Sequence, residues 1–341
     1  MVTTSIKEVA RHAGVSVGTV SNVLNRPELV AEPTRQRVVA SIDALGFVRN
    51  ESARALRAGR SRTIGLVVLD VANPFFTDIA RGAEDVADAN DMVVTLCNSA
   101  ADLGRETRHL AHLEEQRVRG VLITPVDTGS ARLDQLVHRG IPLVLVDRGS
   151  PLAGRCSVAV DDVLGSRLAV EHLVATGHQR IAFVGGSMSL PQVSDRLAGA
   201  SEAVAGTPTD LLTIETSSLS VQDGRDAGER ISRLAVGRRP TGVFCANDLV
   251  ALGLLQEMTR GGIQVPADIA IVGYDDIEYA AAAAVPLSSV RQPREQLGRA
   301  AAELLFDEIN KGADHRHQHL VFEPDLVVRD SSRLPVRANA R

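Results

Sequence analysis

Val15-Ser16-Val17-Gly18-Thr19-Val20-Ser21-Asn22-Val23-Leu24-Asn25, preceded by Ser5-Ile6-Lys7-Glu8-Val9-Ala10-Arg11-His12-Ala13-Gly14, are the residues that decide how this chain begins to fold. Ser5 followed three residues later by Glu8 is a capping box, in which each side chain accepts from the other residue's backbone N–H. A helix is expected to start there, with Ile6, Val9, Ala10 and Ala13 on one face and Gly14 ending it. Ser16 can cap a second helix, in which Val20, Val23 and Leu24 recur at helical spacing and Val17, Gly18, Ser21 and Asn22 lie outward. Two such helices make a helix-turn-helix whose second helix offers short side chains where base edges would be met. On spacing alone, an ordinary helical hairpin packed on a core stays open.

Outward from that stretch, Arg26 to Val30 reads as a turn. A third helix is expected from about Glu32 to Leu45, with Val38, Val39, Ile42 and Leu45 inward and Gly46 as its stop. At 341 residues the chain is long enough for two or three compact units, and 44% hydrophobic residues suffice for their cores. The net charge of −5 hides an asymmetry: residues 1–62 carry ten Lys/Arg against five Asp/Glu, and the remainder is acidic. A basic head on an acidic body suits a protein that meets phosphates at one end. Cys97, Cys156 and Cys245 are widely spaced, without a zinc or redox motif. No leader pattern and no run of about 18 apolar residues is present, so a soluble, cytoplasmic protein with no membrane partner is expected.

The first 25 residues resemble the DNA-binding headpiece of the lactose-repressor and galactose-repressor (LacI/GalR) family of bacterial transcription regulators. Asn50-Glu51-Ser52-Ala53-Arg54-Ala55-Leu56 resembles the hinge helix of that family. The resemblance implies that Ser16, Thr19, Ser21 and Asn25 hold phosphates while Val17, Gly18 and Asn22 face bases. Asn22 can bond adenine and Val17 can pack on a thymine methyl. It further implies that Asn50, Ala53, Arg54 and Leu56 enter the minor groove at the centre of a pseudo-palindromic operator, with Leu56 as a wedge. Arg54, Arg57, Arg60 and Arg62 make this linker attractive to phosphate. A segment this short is marginal as an isolated helix and is expected to fold on docking. The family's usual serine cap on the third helix is replaced by Ala31, at a cost of about 1 kcal/mol that Pro33 offsets in part.

From Ile64 onward short apolar runs alternate with helical segments. The runs are Ile64–Leu69, Met92–Leu96, Gly120–Ile123, Pro142–Val146, Ile181–Val184, Thr241–Cys245 and Ile269–Val272, with helices such as Phe75–Ala89 and Val163–Thr176 between them. This is the pattern of doubly wound α/β lobes with buried parallel sheets. The expected fold is an all-α headpiece over 1–49, a hinge helix and linker over 50–61, and a two-lobed, periplasmic-binding-protein-like α/β domain over 62–331. Lobe 1 is placed at about 62–160 and 291–322 and lobe 2 at about 161–290 and 323–331, with a tail over 332–341. By resemblance, three crossovers near 160, 290 and 323 join the lobes around a cleft.

Ligands of open α/β sheets bind beyond the carboxyl ends of the strands. The residues there include Asn73, Phe75, Phe76, Thr124, Asp147, Arg148, Arg196, Asn247, Asp275 and Gln292. Carboxylates accept from sugar hydroxyls, guanidinium and amide groups donate to them, and aromatic faces pack on the C–H face of a ring. Most of this set also resembles the ligand contacts of ribose-binding proteins, so a monosaccharide is the expected effector: a pentose, hexose or deoxyhexose. Leu219 stands where related proteins often offer an aromatic residue, and an aliphatic wall would suit the methyl group of a deoxyhexose. A purine or sugar-phosphate effector is the alternative. Leu190 and Gln192 stand where a purine-binding relative would have Arg and Thr.

The adjacent acids Asp161-Asp162 and Asp275-Asp276 read as helix caps and ligand acceptors rather than metal ligands, and Asp248 as a helix cap. The nine histidines show no ligand spacing. His315, His317 and His319 read as part of a solvent loop, and neither metal nor cofactor is expected. Gly185-Gly186-Ser187-Met188-Ser189 matches neither a dinucleotide-binding loop nor a nucleophile elbow, so an enzyme is disfavoured. A sugar-binding protein without a DNA role would have no use for residues 1–58. The expectation is a repressor acting as a homodimer, or as a tetramer of two dimers. No C-terminal heptad run favours the tetramer.

Overall fold

The computed structural model describes residues 4–47, 61–149 and 154–333, which form two compact units divided at Ser61. The first contains α1 (Ile6–Ala13), α2 (Val17–Asn25) and α3 (Glu32–Leu45), with a 3-10 turn at Pro27–Leu29. The capping box at Ser5 is present, with the Ser5 amide donating to Glu8 Oε2 at 2.6 Å. Gly14 and Gly46 end α1 and α3 at φ of 65° and 57°, a left-handed conformation that glycine adopts without steric cost. Val9, Ala10, Ala13, Val20, Val23 and Val38 form the core. With so few buried side chains, each cap is a sizeable share of the unit's stability.

One expected core residue is exposed. Val39 is 45% accessible, and Ser41 is buried in its stead. The helical period explains the exchange, because Val38, Ser41, Ile42 and Leu45 fall on one stripe while Val39 is turned about 100° away. Ser41 tolerates burial because its hydroxyl donates to Arg37 O at 2.8 Å and meets His12 Nδ1 at 3.0 Å. Ala31 makes no side-chain cap on α3, as its lack of an oxygen requires.

The second unit is built on two six-stranded sheets among the described residues. Sheet 1 runs β11 (His319–Phe322), β5 (Cys156–Val160), β4 (Leu143–Val146), β3 (Val121–Ile123), β1 (Thr63–Val68), β2 (Val93–Asn98), and its pairs are all parallel. Sheet 2 runs β12 (Asp325–Val327), β10 (Ser288–Arg291), β9 (Ala270–Asp275), β8 (Gly242–Cys245), β6 (Arg180–Gly185), β7 (Asp210–Glu215), with only β12 antiparallel to its neighbour. Central strands such as β1 after Thr63 and β8 are apolar and buried because helices cover both faces. The edge strands β2 and β7 are mostly exposed.

The flanking helices are α4 (Pro74–Ala89), α5 (Leu103–Glu115), α6 (Ala131–His138), α7 (Asp162–Ala175), α8 (Pro191–Val204), α9 (Val221–Ser232), α10 (Asp248–Arg260), α11 (Glu278–Ala282) and α12 (Arg294–Lys311). The chain passes between the sheets after β5, after β10 and between β11 and β12. α12 therefore follows a strand of sheet 2 but packs on sheet 1 beside α4. That contact needs glycine: a Cβ on Gly82 would stand 2.0 Å from Glu295 O, and one on Gly298 2.0 Å from Ile79 O.

Candidate functional site

In the first unit, α2 packs Val20 and Val23 inward and turns Val17, Gly18 and Asn22 to solvent. Ser16 Oγ accepts from the Thr19 amide at 3.0 Å and meets Thr19 Oγ1 at 2.9 Å. Asn25 Nδ2 donates to Ser21 O at 2.8 Å, which holds the last turn of the helix. Ser16, Val17, Gly18, Thr19, Ser21, Asn22 and Asn25 thus lie on one short helix and its cap. Asn50, Ala53, Arg54 and Leu56 lie outside the described residues.

In the second unit, the carboxyl ends of the two sheets enclose a cavity of about 470 Å³. Asn73, Phe75, Phe76, Asp147, Arg196, Leu219, Asn247 and Asp275 line it, together with Leu69, Val126, Leu190 and Gln192. Three residues placed at the ligand from sequence lie off its wall. Thr124 is fully buried, and Gln292 instead donates to Asp275 Oδ1 at 2.7 Å. Arg148 is buried with Nη1 3.7 Å from Asp195 Oδ2. The sequence rule finds strand ends but not which way each side chain turns.

Two buried acids from opposite lobes dominate the polar wall. Asp147, after β4, accepts from Gln192 Nε2 at 3.0 Å; Asp275, ending β9, accepts from Asn73 Nδ2 at 2.9 Å. Both bonds cross the cleft between the lobes. Their backbones have φ of 56° and 103°, strained for residues with a Cβ and costing about 1–3 kcal/mol each. Burial, reinforced by nearby Asp162, pushes the Asp147 carboxyl up to about 7, against the pull of Arg148 and Arg196. Burial likewise raises Asp275, opposed by Arg196 and the bonds from Asn73 and Gln292. Asp147 Oδ1 is buried without a hydrogen-bond partner among the described residues.

Arg196, on α8, is fastened from several sides. Its Nε donates to Asp162 Oδ1 at 2.8 Å and Nη1 to Ala246 O at 2.5 Å, while the guanidinium lies 3.7 Å over the Tyr274 ring. Burial opposes its charge, but Asp162, Asp275 and Asp147 outweigh that and hold it protonated. Asn73 caps α4, its Oδ1 accepting from the Phe75 amide at 3.0 Å, while its amide reaches Asp275. It shapes the turn and the site together.

The paired acids have structural duties. Asp161 Oδ1 caps α7 by accepting from the Leu164 amide, and Asp162 holds Arg196. Asp276 pairs with Arg291 and Arg329. Asp248 does not cap α10: Asn247 does, accepting from the Val250 amide at 2.9 Å. A cap side chain must precede the first helical residue, and Asp248 is that residue. Asp248 is buried instead, where it accepts from Ser289 Oγ at 2.6 Å and the Ile277 amide at 2.8 Å. The His315 side chain is buried rather than part of a solvent loop, beside Asp307 and Cys156.

Residues 5–50 match the pattern of bacterial regulatory proteins of the lacI family, and residues 170–332 that of a periplasmic binding protein-like domain. The chain is 33% identical over 334 residues to the HTH-type transcriptional repressor PurR of Photobacterium profundum, covering 96% of this chain and 98% of the relative. The transcriptional regulator CelR, solved as a cellobiose complex, is 32% identical with a TM-score of 0.71, covering 96% of this chain and 99% of that one. The lac repressor dimer, solved with operator and the anti-inducer ONPF, is 28% identical with a TM-score of 0.79, covering 97% and 99%. No helix among the described residues is long and apolar enough to cross a membrane.

Proposed function

The chain belongs to the lacI family of bacterial regulatory proteins, DNA-binding transcriptional repressors, and from that premise we propose that it is a repressor whose operator affinity is changed by a carbohydrate. The observation that carries the carbohydrate is the cleft wall. Asp147 and Asp275 stand on opposite lobes, Asp147 with an unpartnered buried oxygen, and Phe75, Phe76, Leu69 and Leu219 supply apolar walls. A hydroxyl donating to Asp147 Oδ1 would satisfy an acceptor that is otherwise costly to bury. The apolar walls suit C–H faces of a ring, and Leu219 with Leu190 and Val126 would take a deoxyhexose methyl. The likeness to CelR, solved as a cellobiose complex, supports a carbohydrate as the effector. Binding moves the equilibrium between lobe arrangements by as much as the sugar's affinity differs between them.

In the same reading the repressor is a homodimer on a pseudo-palindromic operator. Ser16, Thr19, Ser21 and Asn25 hold phosphates, Val17, Gly18 and Asn22 meet bases, and Leu56 wedges the minor groove. A second reading keeps the repressor and replaces the sugar by a purine. Likeness to repressors named PurR favours it, and a cavity lined by Phe75, Phe76 and leucines would also accept a flat base.

A thermal-shift panel of pentoses, hexoses, deoxyhexoses, disaccharides, sugar phosphates and purines, followed by operator titration with each hit, tests the proposal. A ligand at about 100 times its dissociation constant adds about 2.7 kcal/mol to the folded state. A free sugar that stabilises the protein and shifts operator affinity is the expected result. A response to purines or phosphates alone would discard the sugar.

A further inference from the structure

We propose that Cys156, His315, His317 and Glu308 form a binding site for a borderline-soft divalent metal ion of the zinc class, on lobe 1 and away from the effector cleft. Cys156 opens β5, and the two histidines precede β11, which pairs with β5 in the register His319 to Ser157. Glu308 comes from the last turn of α12, and the turn at Gly312–Asp314 brings the chain back to His315. These four side chains place one ligand atom each within 4.8 Å of one another. Cys156 Sγ is 3.2 Å from His315 Nε2 and 3.8 Å from His317 Nδ1. A tetrahedral zinc ion with ordinary bond lengths sets its sulfur and nitrogen ligands about 3.6 Å apart, between those two distances.

The surroundings are those of a metal site rather than a chance cluster. His315 Nδ1 lies 2.8 Å from Asp307 Oδ2, an arrangement that orients the ring and leaves Nε2 aimed at the thiol. The Gln318 amide points at Cys156 Sγ from 3.3 Å, where it would support a thiolate. Glu308 Oε2 is buried without a hydrogen-bond partner among the described residues. Thiolate with imidazole selects zinc-like ions over magnesium or calcium, which prefer oxygen. On binding, the Cys156 thiol proton passes to solvent and the ion ties the end of α12 to β5 and β11. Those strands lead into two of the passages between lobes, so the ion would stiffen the base from which the lobes move.

Tag-free, full-length protein stripped of metal would be titrated with Zn(II) against a chromophoric chelator, and separately with Co(II) under absorption spectroscopy. One equivalent per chain is expected, and the cobalt form should show a thiolate-to-metal charge-transfer band with tetrahedral d–d bands. Cys156→Ser should abolish the charge-transfer band. His317→Ala alters a partly exposed residue of the loop before β11 and should leave circular dichroism unchanged while weakening zinc at least about tenfold. Asp307→Asn, which changes no ligand, should weaken it about 10- to 100-fold. Binding of less than one equivalent, a cobalt spectrum without the thiolate band, or wild-type affinity in His317→Ala would each overturn the site.

Discussion

Truncating Arg196 to alanine removes an ion pair to Asp162, a hydrogen bond to Ala246 O and a cation over the Tyr274 ring, and leaves Asp162 in place. Both members of the ion pair are buried, so solvent cannot take over the stranded carboxylate. Removing one partner of such a pair costs about 3–5 kcal/mol, mostly as the penalty of an uncompensated charge. For a unit of this size that lowers the melting temperature by on the order of 10 °C. The decisive assay is a calorimetric double-mutant cycle of Arg196→Ala, Asp162→Ala and both together in the full chain. Asp162→Ala likewise takes from Arg196 its hydrogen-bonded partner, while the double variant removes both members of that pair and leaves neither without the other, so its loss should fall short of the sum of the singles by about 2 kcal/mol or more. Additive losses would show that the two side chains do not support each other. Operator binding, measured below the lowered melting point, should persist while the effector response disappears. A preserved response would place the ligand elsewhere.

Asp147→Asn should change how stability depends on pH. With its carboxyl raised to about 7, native Asp147 holds a proton that the unfolded chain has already lost, so stability falls as pH rises through 7. Between pH 6 and 8 the loss is on the order of 1 kcal/mol, and it should be absent from the asparagine variant in parallel urea unfolding; equal slopes would refute it. Gly298→Ala would drive a Cβ to 2.0 Å from Ile79 O, so α4 and α12 must part, at a cost of about 3 kcal/mol by thermal unfolding. Ala31→Ser should supply the missing cap of α3 and raise its amide-exchange protection by about 1 kcal/mol; unchanged protection would mean the cap is made some other way. Leu56→Ala should weaken operator binding strongly with an unaltered melting temperature, and undiminished affinity would remove the wedge.

By itself the sequence determined the elements whose cause is local. The capping box at Ser5, the left-handed glycines 14 and 46 and the period of Val20, Val23 and Leu24 act within a few residues, so the headpiece is legible in one dimension. The central strands were legible for a similar reason, since burial on both faces demands unbroken apolar runs. Strands β5, β7 and β12 were not, and β10 and β11 were reached only through the residues beside them, Gln292 after one and the histidines before the other. β7, β11 and β12 lie at sheet edges with polar or exposed residues, and β10 buries Ser288 and Ser289, whose hydroxyls are satisfied by Arg329 O and Asp248 across the fold.

In the cleft, the strand-end rule found Asn73, Asp147, Arg196 and Asp275 but could not order them. Only the tertiary structure decided that Gln292 and Arg148 stand off the cavity wall, that Asn247 rather than Asp248 caps α10, and that Arg196 is held by Asp162. It likewise gathered Cys156, Glu308, His315 and His317, of which Cys156 lies more than 150 residues before the other three in the chain. A helix cap or an apolar run is set by neighbours along the chain. A buried charge takes its partner from whatever the folded lobes bring within hydrogen-bond reach, and no local pattern records that meeting.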